Sequence, residues 1–70
     1  MILLMVTLKE LREERYLSQE DLANKSQTTL STINRLENGK QKPRFKTIRK
    51  LAKALKVNPS VIDFKVTGDG

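Results

Sequence analysis

Residues 17–40, with the sequence LSQEDLANKSQTTLSTINRLENGK, decide the fold. Ser18 stands three residues before Asp21, a spacing typical of helix starts, because the hydroxyl and the carboxylate each accept a hydrogen bond from a backbone N–H there. Thr29 provides a second N-cap. Gly39 provides an end residue that adopts the left-handed conformation without strain. The stretch therefore predicts two short helices joined by a tight polar turn.

The same signals outside this pair predict an all-α, compact bundle of five short helices. Thr7 and Glu10 repeat the start signal, and Pro43 opens the fourth helix, where its missing N–H costs nothing. The helices are expected at residues 8–15, 19–25, 30–38, from 43 onward, and 59–63. The buried stripe of the fourth helix is expected to comprise Phe45, Ile48, Leu51, Ala52 and Leu55.

The chain divides into an apolar N-terminal extension at residues 1–6, a domain at 7–64 and a C-terminal tail at 65–70. Residues 64–67 alternate apolar and polar side chains as a strand does. Two interpretations of the ends stay open. Either they pair as short strands, within a chain or across a dimer, or they cover the core with Leu3, Leu4, Val6 and Phe64.

Composition argues against an enzyme, since the 70 residues include no histidine and no cysteine. Those side chains are the commonest general base, metal ligand and thiol nucleophile. We therefore expect no catalysis, no metal and no cofactor. The apolar residues at the N-terminus are too few to cross a bilayer and lack the features of a signal peptide. The sequence predicts a cytoplasmic protein with no membrane partner.

Charge indicates a polyanionic partner. Fourteen Lys and Arg residues against eight Asp and Glu give a net charge of +6. Residues 40–56 contain eight of the basic residues and no acidic residue. Nucleic acid is the commonest partner of such a surface, although solubility alone is the simpler interpretation.

Three blocks of this sequence closely resemble the Cro/repressor-type (XRE) helix-turn-helix family, which includes lambdoid phage repressors. They are LREER at residues 11–15, LSQEDLA at 17–23 and STINRLENGK at 31–40, followed by Lys42-Pro43. The resemblance covers roughly residues 8–61 in order and without gaps. It implies that the third helix enters the major groove of DNA while the second lies across the backbone.

The resemblance also implies site residues. The base-contact candidates are Leu30, Ser31, Asn34 and Arg35. Arg35 can donate two hydrogen bonds to guanine, whereas a solvated surface arginine is the alternative. Leu30 either packs on a thymine methyl group or is partly buried beneath the preceding helix.

Contacts to the DNA backbone are implied for residues at both ends of the motif. The candidates are Gln19, Thr29, Asn38, Lys40, Lys42 and Arg44. A solvated basic face is the alternative for the last four. In the family, residues at the positions of Arg12 and Glu37 form an ion pair, so we expect both to be structural rather than to touch bases.

Two turn positions depart from the family. Gln27 and Tyr16 stand where the family usually has glycine. Either these turns have another shape here, or the domain accepts the strain of about 1 kcal/mol for each left-handed residue.

Together these observations predict a transcriptional regulator, in the simplest case a repressor, that binds double-stranded DNA as a homodimer on a two-fold symmetric operator. An antitoxin-like protein that binds a toxin and its own operator is one alternative. The others are a protein-interaction module, with RNA polymerase among the possible partners, and binding of nucleic acid by charge alone.

Overall fold

The computed structural model describes residues 5–64. This part of the chain forms four α-helices, one 3-10 turn and two strands of two residues each. In chain order they are β1 (Val6–Thr7), α1 (Leu8–Glu14), α2 (Gln19–Ser26), α3 (Leu30–Glu37), α4 (Phe45–Leu55), the 3-10 turn (Pro59–Val61) and β2 (Ile62–Asp63). No helix among them has the length and apolar character that a membrane span requires.

The count of five helices is wrong, because the fifth predicted helix is a single 3-10 turn. The Asn58 side chain accepts a hydrogen bond from the backbone N–H of Ser60 at 2.9 Å and so starts the turn. Ile62 then has an extended backbone, with φ −86° and ψ 123°. The chain therefore continues as a strand and not as a helix, and residues 5–64 are mostly helical with one strand pair.

Hydrogen-bonded side chains start the first three helices where the sequence predicts. Thr7 and Glu10 form a complete capping box at α1, and Ser18 and Asp21 form another at α2. The bonds from Ser18 lower the pKa of Asp21, chiefly through its backbone N–H. Thr29 accepts a hydrogen bond from the backbone N–H of Thr32 at 3.1 Å and caps α3.

The start of α4 differs from the prediction. Pro43 lies outside the helix, because Arg44 has an extended backbone (φ −82°, ψ 155°) and acts as the N-cap. Phe45 is therefore the first helical residue, and 81% of its surface is exposed, so its predicted burial is wrong. The rest of the predicted stripe lies inward, with Ile48 half-buried and Leu51, Ala52 and Leu55 buried.

The two turns that depart from the family keep the left-handed backbone. Tyr16 has φ 55° and Gln27 has φ 58°, so the domain accepts the strain at both sites. After α2, the backbone N–H of Thr28 donates to the carbonyl of Ala23 at 2.8 Å, which closes the helix end. Gly39 has φ 69° and ends α3 as predicted.

The core lies where the helices and β2 meet. Leu22, Ile33, Leu51 and Leu55 are its largest fully buried side chains. Around them lie the buried residues Leu8, Leu11, Ala23, Leu36, Ala52 and Ile62. Every helix contributes to this cluster, so burial of a single apolar surface fixes α3 relative to the others.

Both interpretations of the chain ends hold in part. β1 pairs with β2 in parallel within the chain, with Val6 opposite Ile62. Val6 and Phe64 also pack against the core. Leu3, Leu4 and residues 65–67, which entered the same predictions, lie outside the described residues.

Candidate nucleic-acid interface

The outward face of α3 is a row of exposed polar side chains. Ile33 and Leu36 are buried, and this orientation leaves Ser31, Asn34 and Arg35 exposed on the other side. Leu30, the first residue of the helix, is 49% exposed and is therefore accessible to a partner. The four base-contact candidates thus lie on one accessible surface, which is the geometry that contact with base edges requires.

Local hydrogen bonds already use some of the polar atoms on this surface. The Thr29 hydroxyl caps α3 and donates to Oγ1 of Thr32 at 2.9 Å. Nδ2 of Asn38 donates to Oδ1 of Asn34 at 3.2 Å. The second bond engages the carbonyl oxygen of the Asn34 side chain and not its amide nitrogen, whereas the Thr29 hydroxyl is engaged at the helix start.

A basic loop follows α3. Lys40, Lys42 and Arg44 are all exposed and lie between the end of α3 and the start of α4. The loop leaves the helix in a fixed direction, because the backbone N–H of Lys40 donates to the carbonyl of Arg35 at 2.9 Å. The three positive charges therefore flank one end of the outward face of α3.

The ion pair that the resemblance implies is present beneath this surface. Nε of Arg12 donates to Oε2 of Glu37 at 2.6 Å, and Nη2 donates to Oε1 at 3.1 Å. Nη1 donates to the carbonyl of Leu17 at 2.8 Å. The hydrogen bond to Glu37 raises the pKa of Arg12 further. One guanidinium thus links α1, the turn before α2 and the last residue of α3.

Gln19 joins the same network. Its Nε2 donates to Oε1 of Glu37 at 3.0 Å, and the residue is half-buried. The resemblance implies a phosphate contact for Gln19 but gives no indication of this bond. One hydrogen of the amide remains for another acceptor. Gln19 therefore connects the first residue of α2 to the end of α3, and no local pattern in the sequence signals that connection.

No cluster suited to a metal ion is present in residues 5–64. The exposed site offers hydrogen-bond donors, acceptors and positive charge, and an apolar contact at Leu30. This set of groups suits the recognition of a polyanion with patterned edges.

Comparison with known proteins agrees with this geometry. A family model described as "Helix-turn-helix" matches residues 8–62, which include every helix described above. A segment of 51 residues, 71% of the chain, is 49% identical to the HTH-type transcriptional repressor RghR of Bacillus subtilis (strain 168). The matched segment is 38% of that relative's length. The comparison with solved structures gave no match.

Proposed function

This chain belongs to the helix-turn-helix family of the XRE type, and on that premise we propose that it binds specific sequences of double-stranded DNA as a transcriptional regulator. The observation that carries the proposal is the outward face of α3, which is exposed, polar and fixed on the core. The relative's name describes a repressor, which favours repression here. We also propose that the protein works in the cytoplasm.

Sequence discrimination is assigned to α3. Arg35 reaches guanine O6 and N7 with two hydrogen bonds, a contact that only this base pair offers in the major groove. Asn34 offers its free amide nitrogen to a base acceptor, and Ser31 offers a shorter hydroxyl. Leu30 contributes an apolar contact with a thymine methyl group, which its exposure permits.

Positioning on the duplex is assigned to residues beside α3. Lys40, Lys42 and Arg44 contact phosphates from the loop, together with Asn38. At the other side, Gln19 contacts phosphate with the second hydrogen of its amide nitrogen, since the first is donated to Glu37. Thr29 contacts phosphate with its backbone N–H, since its hydroxyl is engaged with Thr32. Such contacts set the register on the duplex without reading its sequence.

The functional unit is proposed to be a homodimer on a two-fold symmetric operator. A single small module buries limited surface on DNA and so has limited affinity. Two modules on half-sites one helical turn apart, about 34 Å, combine their contacts. The symmetry of the operator then follows from the symmetry of the dimer.

Selection of bound duplexes from a random DNA pool, at about 150 mM salt, tests the proposal. We expect an enriched site with two related halves. A matched selection with the Arg35→Ala variant is expected to lose the preference at one position in each half-site. An unenriched pool contradicts the proposal. Retention of a toxin or RNA polymerase instead of DNA then favours a protein partner, and equal retention of all duplexes indicates binding by charge alone.

A further inference from the structure

A hollow lies between the C-terminal end of α2 and the C-terminal half of α4. Its volume is about 290 Å³, and four lysines line it: Lys25, Lys50, Lys53 and Lys56. A second hollow of about 200 Å³ shares Lys25, Ala54 and Lys56 with the first and adds Arg15. We call the two together the lysine trough.

The lysine trough is separate from the surface proposed to bind DNA. No residue of α3 and none of residues 38–44 lines either hollow. The trough also lies at the opposite end of α2 from Gln19, which contacts Glu37. A ligand in the trough therefore occupies a different surface from a duplex on α3.

Three lysines line the trough from α4 and its C-terminal end, and a fourth lysine faces them from α2. Lys50 and Lys53 lie about 4.5 Å apart along the axis of α4, and Lys56 follows the last residue of that helix. Lys25 approaches from α2. No Asp or Glu of the described residues lines the hollows. Like charges at such spacing repel one another, and a multivalent anion would relieve that repulsion.

The negative ends of two helices offset only part of the positive charge of the trough. The C-terminus of a helix carries roughly half a negative charge, so α2 and α4 together offset about one positive charge. Nζ of Lys50 donates a hydrogen bond to the carbonyl oxygen of Gln27 at 3.4 Å, and so interacts with the negative end of α2. Arg15 contacts Glu14 at 3.6 Å, whereas the four lysines have no acidic residue beside them in the lining of the hollows.

Lys56 ends α4 with the same left-handed backbone that Tyr16 and Gln27 have. It is the residue after α4 and has φ 57°, a backbone that glycine adopts without strain. A lysine there costs about 1 kcal/mol relative to a residue without a Cβ atom.

We propose that the lysine trough binds a small anion that contains several linked phosphate groups, such as an inorganic oligophosphate. Lysine ammonium groups bind phosphate oxygens as point charges with three donors each. The volume approaches the lower end of small-ligand pockets. Leu17 and Ala54 supply apolar lining beside the charges, and the concave shape favours a small anion over a rigid duplex.

Titration of the 15N-labelled chain with sodium tripolyphosphate, followed by NMR at about 150 mM NaCl, tests this proposal. We expect saturable binding of one anion per chain, with shifts concentrated at residues 25–27 and 50–56. The Lys53→Gln/Lys56→Gln variant should bind at least about tenfold more weakly, because it loses two charge-assisted contacts. Lys9→Gln/Lys46→Gln removes the same charge outside the trough and should change affinity less than about twofold.

Three results would overturn the proposal. They are binding that does not saturate, equal weakening in the two double variants, and shifts concentrated on α3 and residues 38–44. A further experiment measures the binding of a short duplex of random sequence to the same variants. If the trough variant weakens duplex binding and leaves tripolyphosphate binding unchanged, the trough is a nucleic-acid contact. The spectrum of each variant verifies its fold, and the operator selection is independent of every outcome here.

Discussion

Glu37 illustrates at the scale of a residue how the fold holds α3 in place. Its side chain is 3% exposed, and both carboxylate oxygens accept hydrogen bonds from Arg12, with a further bond from Gln19. A buried ion pair adds little net stability relative to apolar side chains of the same volume, but removal of one partner leaves the other charge uncompensated. The pair therefore matters chiefly for the position of α3.

The Glu37→Ala variant should lower the free energy of unfolding by about 3 kcal/mol, because Arg12 keeps its charge at 11% exposure without a partner. Urea denaturation measures this change. Glu14→Ala is the control, since the Glu14–Arg15 contact is 3.6 Å long and exposed, and it should cost less than about 0.5 kcal/mol. Equal losses in the two variants would contradict this account of Glu37.

At the scale of the elements, the starts of α1, α2 and α3 could be predicted from the sequence, whereas the start of α4 and some helix ends could not. Thr7, Ser18 and Thr29 cap helices through bonds to residues three positions along the chain, so a local pattern contains the information. Gln27 and Tyr16 have no intrinsic preference for positive φ. Packing of the helices on the core imposes that backbone, and the family resemblance only marks the positions.

Gln27→Gly should stabilise the domain by about 0.5–1 kcal/mol. Relief of the left-handed strain at φ 58° outweighs the backbone freedom that glycine adds to the unfolded state. Arg49→Gly, at an exposed position inside α4, is the control and should cost about 1 kcal/mol. Thermal unfolding compares the two. Destabilisation by Gln27→Gly would show that the turn is not under strain.

The first turn of α4 shows the limit of periodicity as evidence. The spacing of Phe45 to Ile48 predicts burial of both, but periodicity does not report where the neighbouring elements end. Phe45→Ala should therefore change the free energy of unfolding by less than about 0.5 kcal/mol. Leu51→Ala, at a fully buried position, should cost about 2–5 kcal/mol. A large loss in the Phe45 variant would contradict the exposed position.

At the scale of the whole molecule, the sequence predicts the outward face of α3 better than it predicts the long-range contacts that hold α3 in place. The outward face of α3 follows from helical spacing and the resemblance. The bond from Gln19 to Glu37 and the pairing of Val6 with Ile62 join residues far apart in the chain. The lysine trough likewise needs α2 beside α4. No local pattern contains such information, because only the packed core brings these residues together.

The positive charge of the molecule contributes to attraction as well as to recognition. The net charge of +6 attracts any polyanion, so attraction alone does not demonstrate recognition. We propose that the outward face of α3 discriminates sequences while the loop after it holds the duplex. Arg35 and Lys42 represent the two roles, and both side chains are exposed, so neither substitution should disturb the fold.

The most direct test is the affinity of the Arg35→Ala and Lys42→Ala variants for the selected operator and for a random duplex, both at about 150 mM salt. Arg35→Ala should cost about 1–3 kcal/mol on the operator and little on the random duplex, so that discrimination falls. Lys42→Ala should weaken both duplexes by the same factor and leave discrimination unchanged. The same loss of discrimination in both variants, or none in Arg35→Ala, would contradict the claim.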